Sequence, residues 1–135
     1  MKKLKGLIFM LLISLSLFGL TSCKEDGENK KITYEQITAQ QAKEIMDTQN
    51  DYIIIDARTE EEFEDGHIKN AILIPEYEIA DRAEEELPNK GTLILVYCRS
   101  GRRSKIASEE LVKFGYTNVK EFGGIIDWPY EVVKE

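Results

Sequence analysis

The sequence predicts an α/β domain built on a parallel sheet with helices on both faces. Short apolar runs alternate with stretches of helical spacing from residue 32 onward. Asp51-Tyr-Ile-Ile-Ile-Asp56, Ala71-Ile-Leu-Ile74 and Thr92-Leu-Ile-Leu-Val-Tyr97 hold consecutive apolar residues at 52–55, 71–74 and 93–97, as strands covered on both sides do. That alternation implies right-handed crossovers between parallel neighbours.

The elements follow in order. Ile32-Thr-Tyr34 supplies a first short strand. Thr38-Ala-Gln-Gln41 is a capping box, opening a helix that carries Ala42, Ile45 and Met46 inward. After the strand at 51–56, Thr59-Glu-Glu-Glu62 is a second capping box, with acids suited to a first turn. Its helix turns Phe63 inward and ends by Gly66, and its acid run Glu60–Asp65 reads as a solvated face. Pro75 stops the third strand. Glu76–Leu87 reads as a helix with Ile79, Ala80, Ala83 and Leu87 inward, and Pro88–Gly91 as a turn. The strand at 92–97 leads to a helix with Ile106, Ala107, Leu111 and Phe114 on one side, capped by Ser104 and stopped at Gly115. Val119–Phe122 is the last strand, and Trp128 closes the core after a Gly-Gly turn.

Candidate chemistry concentrates where the fourth strand meets its helix. Cys98 stands at the strand's carboxyl end, the place where open α/β sheets put their ligands. The loop after it reads Arg99-Ser100-Gly101-Arg102-Arg103-Ser104. A tight turn into a helix presents backbone N–H groups, and Gly101 can take dihedrals that other residues resist. Those donors, the helix dipole and the three arginines favour an anion over the sulfur, so Cys98 reads as a nucleophile, with 99–104 as substrate-binding. Asp56 and Arg58 flank the end of a neighbouring strand. They read as an ion pair fastening two loops, with Arg58 as an added anion contact the alternative. His67, the only histidine, is a candidate general base or a structural hydrogen-bonder, on a loop other than that of Cys98. One histidine and one free cysteine cannot assemble the usual N/S metal site, and no Gly-rich nucleotide fingerprint is present, so neither metal nor cofactor is expected.

Cys98-Arg-Ser-Gly-Arg-Arg-Ser104, preceded by Asp56-Ala-Arg58 and Gly66-His-Ile-Lys-Asn-Ala71, resembles the rhodanese (sulfurtransferase) domain family. Gly115-Tyr-Thr-Asn-Val119 and Gly123-Gly-Ile-Ile-Asp-Trp128 resemble the family's ending, so the likeness runs from about Tyr34 to Trp128. The resemblance implies a five-stranded parallel three-layer domain and a cysteine that carries sulfur as a persulfide. It also implies a structural role for His67.

The amino terminus reads separately. Met1-Lys-Lys-Leu-Lys5 is basic, Gly6–Leu20 is apolar, and Leu20-Thr-Ser-Cys23 ends in a cysteine, the layout of a secretory signal peptide. Leu-Thr-Ser-Cys resembles the lipobox of bacterial lipoproteins, which implies lipidation of Cys23. An uncleaved membrane anchor is the alternative, though its apolar stretch is shorter than the ~20 residues a span prefers. The expected organisation is a signal peptide at 1–22, lipidated Cys23 and a polar spacer at 23–31, and the domain at 32–135, exported and held at a membrane. Loss of 1–22 would remove three lysines and no acid, taking the net charge from −7 to −10. So acidic a chain does not suit nucleic acid as a partner, and makes a cluster of arginines notable.

The function predicted is sulfur transfer from a donor such as thiosulfate to a thiol or cyanide acceptor, in two steps through Cys98. The alternative from another class is a membrane-tethered binding or sulfur-sensing module. A cysteine phosphatase is disfavoured, because phosphatases of that kind resemble Cys followed by five residues and an arginine. Here that position is Ser104, with Arg103 one place early.

Overall fold

A computed structural model describes Lys31 and residues 33–134; the proposed signal peptide, Cys23 and most of the spacer lie outside the described residues. Five strands form one parallel sheet: β1 (Glu35–Gln36), β2 (Tyr52–Asp56), β3 (Ala71–Leu73), β4 (Leu93–Cys98) and β5 (Val119–Gly124), in the order β1-β5-β4-β2-β3. The helices are α1 (Ala39–Thr48), α2 (Glu60–Asp65), α3 (Ile79–Glu86) and α4 (Arg102–Lys113). This is the α/β three-layer arrangement that the apolar runs predict.

Consecutive side chains of a strand point to opposite faces, and the two cores divide accordingly. On one side Ile55, Ile94 and Val96 pack with Ile79 and Ala83 of α3 and Ala107 and Leu111 of α4. On the other, Ile54, Leu93, Leu95 and Tyr97 pack with Ala42 of α1, Phe63 of α2, and Phe122 and Trp128. β4 is buried along its whole length because it is central and covered twice. Both capping boxes form as the sequence predicts, from Thr38 to Gln41 and from Thr59 to Glu62.

Several local expectations are corrected. The first strand is Glu35–Gln36 rather than 32–34, because the edge pairing open to it is with Lys120 and Glu121 of β5; Ile32 lies outside the described residues. Glu76–Glu78 is a 3₁₀ turn ahead of α3, and Ala80 is exposed, since the stripe facing the sheet runs through Ile79, Ala83 and Leu87. Ser104 is not the cap of α4: Gly101 holds that position with φ of 102°, in the left-handed region open to glycine.

Candidate active site

Cys98 is the last residue of β4, and α4 begins four residues later. Its side chain lies on the α3–α4 face with Ile94 and Val96, and the residue is 1% exposed. The Gly101 N–H donates to Cys98 Sγ at 3.0 Å, at the start of a 12-residue helix whose dipole favours negative charge there. Ser104 Oγ lies 3.3 Å from the same sulfur. The loop is pressed closely against the end of β5. A Cβ built on Gly124 would stand 2.0 Å from the Arg99 carbonyl oxygen, so only glycine fits between strand and loop.

The arginines separate into two kinds. Arg99 and Arg102 are exposed at the loop and make no ion pair among the described residues. Arg103 does not stand free over the sulfur as the sequence led us to expect. Its two terminal nitrogens grip Glu62 of α2 at 2.7 and 2.8 Å, a bidentate pair. The two helices start from the carboxyl ends of neighbouring strands β2 and β4, which brings their first turns together. Glu62 thus caps α2 and anchors α4, and is not part of a solvated acid face. The Arg103 hydrogen bond outweighs burial and, with the Thr59 cap, lowers the Glu62 carboxyl to about 2.

Asp56 and Arg58 form the expected ion pair, at 2.7 Å, and both are buried. Arg58 also donates to the Gly66 carbonyl, tying the loop after β2 to the end of α2. Burial would lower the guanidinium's proton affinity, yet the bond and charge of Asp56 raise it overall. Tyr97 donates to Asp56 at 2.6 Å and accepts from the Ile68 N–H, and burial, then Asp56, push its phenol well upward. His67 is structural: Nδ1 meets the Phe63 carbonyl at 2.9 Å, the ring stacks on Phe63, and its backbone bridges Val133. Trp128 closes the α1–α2 core against Phe122 and Tyr130.

Sequence reasoning missed Glu121. It is 3% exposed and accepts from Ser104 Oγ at 2.6 Å and from the Gly123 N–H at 2.8 Å. The signal was available, since alternation along β5 puts Glu121 on the same side as inward-facing Val119. Among the described residues no three acids, histidines or cysteines gather as metal ligands do.

Comparison with known proteins agrees with this geometry. The family model described as Rhodanese-like domain matches residues 38–129. Thiosulfate sulfurtransferase PspE of Escherichia coli (strain K12) is 39% identical over 80 residues, covering 59% of this chain and 77% of that protein. Adenylyltransferase and sulfurtransferase UBA4 of Candida albicans is 35% identical over 95 residues, covering 65% of this chain but only 22% of that longer protein. Among solved structures, a rhodanese with anions from E. coli aligns with a TM-score of 0.59 at 37% identity, over 62% of this chain and 99% of that one. A rhodanese-like domain protein from Staphylococcus aureus aligns with a TM-score of 0.65 at 32% identity, over 75% and 98%. With Cys98 at the strand end, its loop and the sheet order in place, the chain belongs to the rhodanese-like domain family.

Proposed function

We propose that this protein is a sulfurtransferase that accepts a sulfane sulfur on Cys98 and passes it to a thiol or to cyanide. The observation that carries the reading is the Gly101 N–H aimed at Cys98 Sγ at a helix start, an arrangement that favours negative charge on that sulfur. With thiosulfate, the thiolate attacks the outer sulfur; the donor's S–S bond breaks and its electron pair leaves on sulfite. An acceptor thiolate then attacks the outer sulfur of the persulfide and restores the Cys98 thiolate. Exposed Arg99 and Arg102 attract a dianionic donor to a chain that is otherwise acidic. Export and a lipid on Cys23 complete the proposal, placing the domain at an extracytoplasmic membrane surface.

Incubation with thiosulfate is expected to add one sulfur atom to Cys98, seen by mass and removed by cyanide or a small thiol. Cys98→Ser abolishes both the adduct and turnover, because a hydroxyl neither ionises readily nor forms a persulfide. An adduct that forms and never leaves would mark a sensing module instead. Sulfur transfer that survives Cys98→Ser would refute the mechanism.

A further inference from the structure

Behind Cys98 lies a buried carboxylate that the reaction above leaves unused. Glu121 sits on β5 in register with Val96 of β4, and its only side-chain partners among the described residues are Ser104 and the Gly123 N–H. No cation pairs with it among those residues. Buried beside the nucleophile's loop, the carboxylate is reached by one hydroxyl and one backbone N–H. Ser104, itself fully buried, links it to the nucleophile: Cys98 Sγ lies 3.3 Å and Glu121 Oε1 2.6 Å from one hydroxyl oxygen.

We propose that Glu121 takes up the Cys98 thiol proton through Ser104. The proposal rests on Cys98 being the nucleophile of the sulfurtransferase reading. In the resting state the Cys98 S–H donates to Ser104 Oγ, and the Ser104 hydroxyl donates to Glu121 Oε1. In the transfer the S–H bond breaks and its proton joins Ser104 Oγ, while the former hydroxyl proton joins Glu121 Oε1. Negative charge moves from carboxylate to sulfur, and the serine is neutral before and after. Both hydrogen bonds persist with their direction reversed, so the thiolate receives a donor as it forms.

Glu121 touches neither donor nor acceptor, so it is a positioning residue. Two titratable groups are set against it: Cys98 on β4, joined through Ser104, and Tyr34 ahead of β1. The Tyr34 phenol is raised by burial, then by Glu109 and Glu121. The Arg103 guanidinium is raised chiefly by its Glu62 bond and also feels Cys98. Neither Tyr34 nor Arg103 lies between the sulfur and the carboxylate in the hydrogen-bond chain.

The test is iodoacetamide alkylation of the full chain without any sulfur donor, followed as the mass of the Cys98 peptide. Glu121→Gln keeps an oxygen that accepts from Ser104 and Gly123 but cannot take a proton. In E121Q the rate is expected to fall about tenfold per pH unit below the thiol's midpoint, as for a lone thiol. In the wild type it should fall less than about threefold per unit there, because the proton stays within a coupled pair. Ser104→Ala cuts the link and should reproduce the E121Q profile; if E121Q does not fold, S104A decides alone. Parallel profiles in wild type and E121Q would overturn the proposal. So would faster alkylation of E121Q at every pH, which would mark Glu121 as a merely repelling charge, or a wild-type profile in S104A. Because no sulfur donor is present, failure of the sulfurtransferase reading would show separately, as a missing thiosulfate adduct.

Discussion

Glu62→Gln tests whether the bond between α2 and α4 is electrostatic and what it contributes. Glutamine at the third position of a helix still serves a capping box, so the substitution removes the charge and spares the cap. The Glu62 carboxyl stands at about 2 against an ordinary 4.5. A gap of that size corresponds to about 3.4 kcal/mol at ~1.36 kcal/mol per pH unit. The paired side chains are 21% and 23% exposed, and solvent screening reduces the contribution to about 1–2 kcal/mol. Because the folded-state value is depressed, the stabilisation is fully present above pH 4.5 and is lost as pH falls toward 2. E62Q is therefore expected to melt about 5–10 °C below the wild type at neutral pH, for a domain of this size. The difference should close as acid protonates Glu62 in the wild type. Thermal melts of both proteins, followed by circular dichroism across that range, measure the gap directly. A gap that persists unchanged near the bottom of the range would refute the reasoning, because packing or capping would then be what was lost.

Other perturbations follow from the same geometry. Asp56→Ala leaves buried Arg58 without its counter-ion and is expected to cost about 3–5 kcal/mol in urea unfolding, with a cost below about 1 kcal/mol contradicting the pair's role. Gly124→Ala drives a Cβ into the Arg99 carbonyl, which should cost about 1–3 kcal/mol and slow sulfur transfer as the Cys98 loop is displaced; full activity would show that the loop yields freely. Cys23→Ala should release the protein from membranes or block its processing, as fractionation would show, whereas unchanged membrane association would support an uncleaved anchor.

The sheet, both capping boxes and the position of Cys98 were legible in the sequence because each is set over a few neighbouring residues. Consecutive apolar positions mark strands covered twice, Thr-x-x-Gln and Thr-x-x-Glu close a turn on themselves, and a cysteine after an apolar run must stand at a strand's end. The Asp56–Arg58 pair was readable for the same reason, its partners being two residues apart.

What the site does with these parts depends on residues far apart in the chain. Arg103 meets Glu62 across 41 residues, and Ser104 meets Glu121 across 17. Both contacts exist only because parallel pairing aligns the carboxyl ends of β2, β4 and β5. The same close approach decides that Gly101, not Ser104, caps α4: the hydroxyl that would serve a cap in isolation is drawn inward between sulfur and carboxylate. Local pattern therefore determined the scaffold and the place of Cys98 at the end of β4. Strand register and helix placement, which sum contacts over the whole chain, decided which side chains reach Cys98 and which are spent holding its loop.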